Sequence, residues 1–170
     1  EPGIAWEVLG PPGGALHLSD NDASLVLLVR SPWGSVLLPG DIEEGGIAHL
    51  LRRGDDRVDV LALPHHGDFS EGMDLLLDRF RPRLVLVSAR AGFGSPRTEA
   101  MLAERGILVL RTFEEGAVTV ELTGEGITAR GFRSGRTAAI PRRTPSRTPP
   151  GGTGRSPSGG GASSPPRRNR

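Results

Sequence analysis

Cysteine and lysine are both absent from this 170-residue chain, and each absence narrows what it can be. Without cysteine, the chain can form neither a disulfide scaffold nor a thiolate metal site, and it has no cysteine nucleophile. The compartment stays open, since a cysteine-free protein is at home in oxidising or reducing surroundings. All 21 basic residues are arginine. We interpret this as a coding bias, because arginine at every basic position cannot have been chosen for bidentate recognition.

Long apolar runs are missing too. No run approaches the roughly 18 residues that a membrane span needs, so we predict that this chain does not itself cross a bilayer. It opens with Glu1-Pro2-Gly3, without an initiator Met or a signal-peptide pattern. We therefore expect it to be a region of a longer protein. Its length allows one domain of ordinary size.

Charge divides the chain into two parts. Residues 134–170 contain eight Arg and no acid, and are otherwise mostly Pro, Gly, Ser and Thr. Such a segment cannot bury enough apolar surface to offset its ordering entropy, so 134–170 is predicted to be a disordered tail. Residues 1–133 carry the other 13 Arg against 20 acids, a net charge of −7, and are predicted to form the folded part. The tail could contact nucleic acid or anionic lipid, although a solvated extension is the simpler interpretation.

Strands and helices alternate along residues 1–133, which favours an α/β layered domain with antiparallel hairpins mixed into it. Ser70 and Ser95 are predicted N-caps of the second and third helices. The predicted strands are 4–9, 24–29, 35–38, 58–63, 84–87, 107–110, 117–122 and 126–131, and the predicted helices are 42–53, 70–80 and 95–104.

Candidate ligands for a metal follow two of these strands. Asp41 comes after the strand at 35–38, and His65 and His66 come after the strand at 58–63. Functional groups collect on loops at the carboxyl ends of strands in α/β sheets. One carboxylate and two imidazoles offered there suit Zn or Mn. Two simpler interpretations stay open: Asp41 as the cap of the helix after it, and the histidines as a structural pair.

Several stretches, in this order and spacing, resemble a metallo-β-lactamase-type domain. More narrowly, they resemble the C-terminal domain of the ComEC/Rec2 competence proteins, the membrane channels for DNA uptake. The resemblance covers about residues 4–133. Its motifs are 21–27 (NDASLVL), 37–43 (LLPGDIE), 58–67 (VDVLALPHHG), 80–88 (FRPRLVLVS) and 106–112 with 115–118 (GILVLRT, EGAV).

The resemblance implies a four-layer αβ/βα sandwich with a metal centre at one edge and hydrolysis of DNA phosphodiesters. Asp41 would bind or bridge the metals. One of His65 and His66 would coordinate metal, and the other would orient the substrate phosphate or the ligand shell; which does which is left open. It also implies a parent protein in the cell membrane, with the channel upstream of Glu1 and this domain on the extracytoplasmic side.

Two departures from the family pattern concern the metal ligands. The family's first metal motif, His-x-His-x-Asp-His, does not occur, so we expect it upstream of Glu1 and take this chain as the C-terminal part of the domain. Residues 91–96 read Ala-Gly-Phe-Gly-Ser-Pro where the family has Asn-x-Tyr-Gly-His-Pro. Ser95 thus stands in place of a histidine ligand, and a hydroxyl cannot replace an imidazole without serious loss of metal affinity.

Five further residues have weaker interpretations. Arg90 and Arg97 flank the altered loop and are candidates for contact with substrate phosphate, although solvated arginines are the commoner outcome. His17 is interpreted as a surface or packing residue, and His49 as a solvent-facing residue of its helix. Asp59 is interpreted as a structural residue, a capping or salt-bridge partner.

Three functions therefore remain. The first is part of a metal-dependent nuclease domain in a DNA-uptake membrane protein. The second is a catalytically degenerate module of the same ancestry that supports or guides DNA. The third is part of a soluble hydrolase outside competence. Whether the parent is an enzyme stays open at this point. The isolated 170 residues are predicted to be inactive, because half of the ligands are absent.

Overall fold

The computed structural model describes residues 3–13, 18–53 and 57–143. Within them the chain forms a six-stranded sheet, a three-stranded sheet and four α-helices. A 3₁₀ turn, Pro64–Gly67, lies between the fourth strand and the second helix. In chain order the elements are β1 Ala5–Gly10, β2 Val26–Ser31, β3 Gly34–Leu38, α1 Glu44–Leu51, β4 Val60–Ala62, α2 Met73–Phe80, β5 Leu84–Val87, α3 Pro96–Glu104, β6 Leu108–Arg111, α4 Thr112–Glu115, β7 Val118–Thr123, β8 Gly126–Gly131 and β9 Thr137–Pro141.

The six-stranded sheet has the strand order β1-β2-β3-β4-β5-β6. Its first three strands pair antiparallel, and the pairs from β3 to β6 are parallel. The predicted hairpin is confirmed: β2 and β3 pair from Leu27 opposite Leu38 to Ser31 opposite Gly34. The parallel half fixes direction, so the loops after β3, β4, β5 and β6 all leave from one edge. We call this edge the carboxyl edge and the opposite one the amino edge.

Successive side chains of the parallel strands alternate between the two faces of the sheet. Both faces are buried. Val60 of β4 packs with Ile127 of the three-stranded sheet, β7-β8-β9. Its neighbour Leu61 belongs to a second cluster with Ile47 of α1 and Leu77 of α2. The helices thus cover one face and the smaller sheet covers part of the other. This confirms the prediction of an α/β layered domain with antiparallel hairpins.

The start of the predicted disordered tail is wrong. Residues 137–141 form β9, which pairs antiparallel with β8. Buried Glu115 accounts for this order, because its carboxylate accepts hydrogen bonds from Ser134 and from Arg136 Nη1, the latter at 3.2 Å. Arginines of the predicted tail therefore find protein partners that composition alone could not reveal. The rest of that predicted tail, 144–170, and His17 lie outside the described residues.

One predicted helix cap is confirmed and the other is wrong. Ser95 caps α3, because its Oγ accepts a hydrogen bond from the Arg97 backbone N–H at 3.2 Å. Ser70 does not cap α2, which begins only at Met73 after Gly72. Gly72 has a φ of 83°, and a Cβ there would lie 3.0 Å from Ile47 Cγ2. This left-handed residue separates Ser70 from the helix. Among the described residues, no helix is long and apolar enough to span a membrane.

Candidate functional site

The loops after β3 and β4 meet at the carboxyl edge. Val36 lies opposite Val60 in the parallel pair, so both strands end at the same level. The His65 N–H donates a hydrogen bond to the Gly40 carbonyl at 3.3 Å, which joins the two loops directly. The two predicted ligand motifs are therefore adjacent in the fold, as their positions after neighbouring strands indicated.

Ser24 holds the Asp41 loop in place. Its Oγ accepts a hydrogen bond from the Asp41 N–H at 3.0 Å. Gly40 has a φ of 66°, and a Cβ there would lie 2.8 Å from Ser24 Cβ. A side chain at residue 40 would thus be strained and would collide with Ser24. The Asp41 side chain, fixed at its backbone, is 50% exposed.

Asp22, and not Asp41, caps α1. Its Oδ1 accepts hydrogen bonds from the backbone N–H groups of Glu43, at 2.7 Å, and Gly46, at 2.8 Å. These are donors that a helix leaves without partners in its first turn. The capping alternative for Asp41 is therefore wrong. The cap comes from 21 residues upstream, a distance that no local sequence pattern announces.

His65 and His66 both adopt left-handed backbone conformations, with φ of 47° and 57°. For residues with a Cβ this conformation costs roughly 1–2 kcal/mol each. Such strain clusters at functional sites, where the surrounding structure maintains it. Here the hydrogen bond from the His65 N–H to Gly40 and the buried Pro64 and Gly67 on either side hold the turn.

His66 has a defined tautomer. Its Nδ1 lies 2.7 Å from the Ser88 carbonyl oxygen, which can only accept a hydrogen bond. In the neutral imidazole Nδ1 therefore carries the proton, and Nε2 is left with its lone pair. That Nε2 lies 3.8 Å from Asp41 Oδ1.

His65 turns to a different carboxylate. Its Nδ1 lies 3.2 Å from Glu43 Oε1, and its ring centroid is 6.4 Å from that of His66. Of the three predicted residues, Asp41 pairs with His66, whereas His65 pairs with a fourth residue, Glu43. Sequence reasoning missed Glu43, although it closes the 37–43 motif that contains Asp41.

The separation of Asp41 and His66 is close to that of two ligands on one divalent metal ion. Oxygen and nitrogen ligands lie about 2.0–2.2 Å from zinc, so two of them on one tetrahedral ion are about 3.4 Å apart. The observed 3.8 Å is close to that value. Within 3–13, 18–53 and 57–143, however, no group of three or more His, Cys, Asp or Glu side chains is arranged to hold a metal. The pair fits part of a coordination sphere.

A pocket of 420 Å³ opens beside His66. Phe93, in the altered loop, approaches the imidazole edge-on with ring centroids 5.8 Å apart. The guanidinium of Arg90 lies 5.8 Å from the Phe93 ring centroid, which places one cation at the pocket wall. The lining residues are His66, Ser88, Ala89, Arg90, Phe93 and Thr112.

Contacts behind the pocket hold its wall. Thr112 Oγ1 accepts a hydrogen bond from the Ala89 N–H and donates one to the Ala89 carbonyl, both at 3.1 Å. Arg111, the residue before it, donates from Nε to Glu99 Oε1 at 3.0 Å. That hydrogen bond raises the pKa of Arg111 above its ordinary value. The end of β6 and the residue after it are thereby tied to α3 and to the loop after β5.

Arg97 and Ser95 lie near the site but outside the pocket lining. The Arg97 guanidinium stacks on Phe69 at 3.9 Å from the ring centroid. The Ser95 N–H donates to the Gly67 carbonyl at 3.4 Å, so the altered loop contacts the histidine turn directly. The structure thus brings Arg90, but not Arg97, into the pocket with His66.

Two remaining interpretations are resolved by contacts elsewhere. His49 is half-buried, with Nε2 3.2 Å from the Leu9 carbonyl, so it does not simply face solvent as predicted. Asp59 is a salt-bridge partner, as predicted: Oδ1 lies 3.2 Å from Arg143 Nε and 3.7 Å from Arg83 Nη1. Its Oδ2 also accepts a hydrogen bond from the Ser35 N–H at 3.0 Å.

Two characterised proteins are similar to this chain, although no protein-family model matches it. Recombination protein 2 of Haemophilus influenzae is 32% identical over 87 residues, which are 51% of this chain and 11% of that protein. ComE operon protein 3 of Bacillus subtilis is 28% identical over 105 residues, 59% of this chain and 14% of that protein. The chain thus spans a small fraction of the length of either relative. It is a distant, partial homologue of the ComEC/Rec2 competence proteins, as its motifs predicted.

Proposed function

We propose that Asp41 and His66 are two ligands of the metal centre of a metallo-β-lactamase-like hydrolase domain, an αβ/βα sandwich that cleaves DNA phosphodiesters. The observation that carries the proposal is the pairing of an Asp41 carboxylate with a His66 Nε2 at 3.8 Å, while His66 Nδ1 is bonded to a backbone carbonyl. A ligating histidine typically donates its other N–H in this way. The relation to the competence proteins supports the choice of DNA as substrate.

A divalent cation, Zn or Mn, would supply a hydroxide at neutral pH and neutralise charge on the phosphate. The protein's part is orientation. The Ser88 carbonyl fixes the His66 tautomer, and Ser24 fixes the loop that presents Asp41. Arg90 at the pocket wall would attract the phosphate, which matters because residues 1–133 carry a net charge of −7.

The remaining ligands would come from a segment encoded before Glu1. From the relation to the competence proteins, we also propose that this domain lies outside the cytoplasm, in a membrane channel for DNA uptake. His65 would not bind the metal, because its ring contacts Glu43 and not Asp41. It would instead orient the residues around the ligands.

A second candidate, a degenerate module that supports or guides DNA, is favoured by the altered loop. Ser95 uses its hydroxyl to cap α3, and Phe93 packs an aromatic edge against the His66 ring. Ser95 offers no strong metal ligand where the family has histidine, and Phe93 offers none where the family has tyrosine. In this version the metal sphere would be short of a ligand even in the longer protein.

Calorimetric titration of the 170-residue chain with Zn²⁺ tests the proposed ligands. We expect Asp41→Ala and His66→Ala each to weaken binding at least about tenfold, because each removes a direct ligand. His65→Ala should have a smaller effect. His49→Ala is the matched control, since it removes an imidazole remote from the site, and it should leave binding unchanged. Equal losses in all four variants would refute the assignment.

Hydrolysis separates the two candidate functions. The isolated chain is expected to show no metal-dependent nuclease turnover. A longer protein that includes the upstream segment should cleave DNA, lose turnover with His66→Ala and show a raised KM with Arg90→Gln. If that longer protein binds Zn²⁺ through His66 but cleaves nothing, the degenerate module is the correct function.

A further inference from the structure

A second pocket, of 290 Å³, lies at the amino edge of the sheet, at the opposite end of the strands from His66. Turns from both sheets form it. The β2–β3 turn supplies Pro32 and Trp33, and the chain after β9 supplies Arg142 and Arg143. The Arg142 N–H donates to the Glu125 carbonyl at 2.8 Å, and its Nη2 donates to the Pro32 carbonyl at 3.2 Å. Arg142, which lines the pocket, thus joins the two sheets.

The pocket is positively charged. Among the described residues its lining contains three guanidinium groups and a single carboxylate, that of Asp59. Asp59 is shared, because Arg83 lies 3.7 Å from the Oδ1 that also contacts Arg143. Arg30 has a partner of its own. Asp59 still faces Arg83, Arg142 and Arg143, more cations than one negative charge can neutralise, although residues 1–133 as a whole carry −7. A local excess of arginine on an acidic domain marks a site for an anion.

The pocket also presents an aromatic ring. Trp33 is 41% exposed. A Cβ on Gly124 would lie 3.8 Å from Trp33 Nε1, so the indole rests one edge against the β7–β8 turn. The Ser31 hydroxyl fixes the turn from the other side, since it accepts from the Trp33 N–H at 3.2 Å and donates to the Gly34 carbonyl at 3.1 Å. The ring is thus positioned at the pocket.

We propose that this pocket binds single-stranded nucleic acid, with the arginines on backbone phosphates and one base on Trp33. Guanidinium groups beside an exposed indole are the combination that single-strand binding proteins use. A pocket of 290 Å³ accommodates a base and its phosphate but is too small to admit a duplex. The site is distinct from the His66 pocket, needs no metal, and does not depend on the proposed hydrolysis.

The test uses the full chain, in EDTA, with a labelled oligothymidylate of about eight nucleotides. Fluorescence anisotropy should show that Arg142→Gln and Trp33→Ala each weaken binding about tenfold, because one loses a charged contact and the other a stacked base. Trp33→Phe should restore most of the affinity. Arg155→Gln in the C-terminal segment is the matched control for charge, and it should have a smaller effect. A urea unfolding curve checks that each variant is folded.

Intrinsic fluorescence supplies a second measurement. The chain has two tryptophans and no tyrosine, so Trp6→Phe leaves Trp33 as the single reporter. Oligothymidylate should quench Trp33 emission with the affinity that anisotropy gives, and less so as salt increases. Binding that resists Trp33→Ala and Arg142→Gln but falls with Arg155→Gln would overturn the proposal in favour of the arginine-rich segment. Equal quenching by inorganic phosphate alone would overturn the nucleic-acid assignment and leave a simple anion site.

Discussion

The carboxyl and amino edges of the six-stranded sheet lie at opposite ends of the same strands and carry opposite chemistry. At the carboxyl edge, strained histidines meet the carboxylates of Asp41 and Glu43. At the amino edge, Asp59 binds Arg83 and Arg143 beside an exposed indole. The first edge offers lone pairs to a cation, and the second offers cations to an anion. The comparison teaches that the net charge of the chain describes neither edge.

The largest effect should come from removing the carboxylate of the amino edge. Asp59 is 16% exposed and joins the Ser35 backbone to two arginines. We expect Asp59→Ala to lower the free energy of unfolding by about 3 kcal/mol, because it leaves cations and a backbone N–H without their partner. Urea unfolding measures this. Asp59→Asn, which retains an acceptor for Ser35, should lose clearly less; equal losses would show that the hydrogen bond is irrelevant.

A smaller effect should follow from removing the cap at the carboxyl edge. Asp22 accepts two helix N–H groups, at 2.7 and 2.8 Å. Asp22→Ala should cost about 1–2 kcal/mol of unfolding free energy and should also weaken Zn²⁺ binding, since α1 follows the Asp41 loop. Asp22→Asn keeps the acceptor oxygen and serves as control. Loss of stability without any change in Zn²⁺ affinity would separate the cap from the site.

The strain at the carboxyl edge predicts a gain in stability. Because His65 has a φ of 47°, His65→Gly should raise the free energy of unfolding by about 0.5–1 kcal/mol, even though it breaks the contact with Glu43. His49→Gly, the same exchange within helix α1, should instead lower it by about 1 kcal/mol. If both variants lose stability equally, the left-handed turn stores no strain.

The smallest effect concerns a surface pair near the amino edge. A hydrogen bond from Arg105 lowers the pKa of Asp78 below its usual value. A lowered folded-state pKa adds stability above the unfolded pKa, and this stability is lost as the pH falls through the folded value. The Asp78 side chain is 62% exposed, so solvent limits the effect to about 0.5 kcal/mol or less. The difference in urea midpoint between the wild type and Asp78→Asn should be present at neutral pH and vanish in acid. A difference that persists in acid would contradict this cause.

Local sequence patterns predicted the elements of the fold well. The strands 84–87 and 126–131 have the predicted bounds, and Ser95 caps α3, because apolar runs and capping chemistry act over a few residues. The same reasoning missed β9, since the arginines around it are stabilised by distant partners such as Glu115 and Asp59. Composition can show that a segment is polar, but not that the rest of the chain binds it.

The candidate site was predicted only in part, because local patterns do not report contacts between distant residues. Positions after neighbouring strands brought the Asp41 and His65–His66 loops together. Their pairing could not be predicted, because it depends on two left-handed residues that point the adjacent rings at different carboxylates. The cap from Asp22 and the Trp33–Arg142 pocket are likewise contacts between residues far apart in the chain.

The central claim, that His66 presents Nε2 to a metal while its Nδ1 is bound to the protein, is tested most directly by the ¹⁵N NMR signals of the histidine rings. At about pH 8, where an unperturbed imidazole is neutral, His66 should carry its proton on Nδ1. His49, whose Nε2 bonds to the Leu9 carbonyl, should carry its proton on Nε2. Added Zn²⁺ should then shift His66 Nε2 and leave His49 unchanged. A proton on His66 Nε2, or an equal response of both rings to Zn²⁺, would contradict the account.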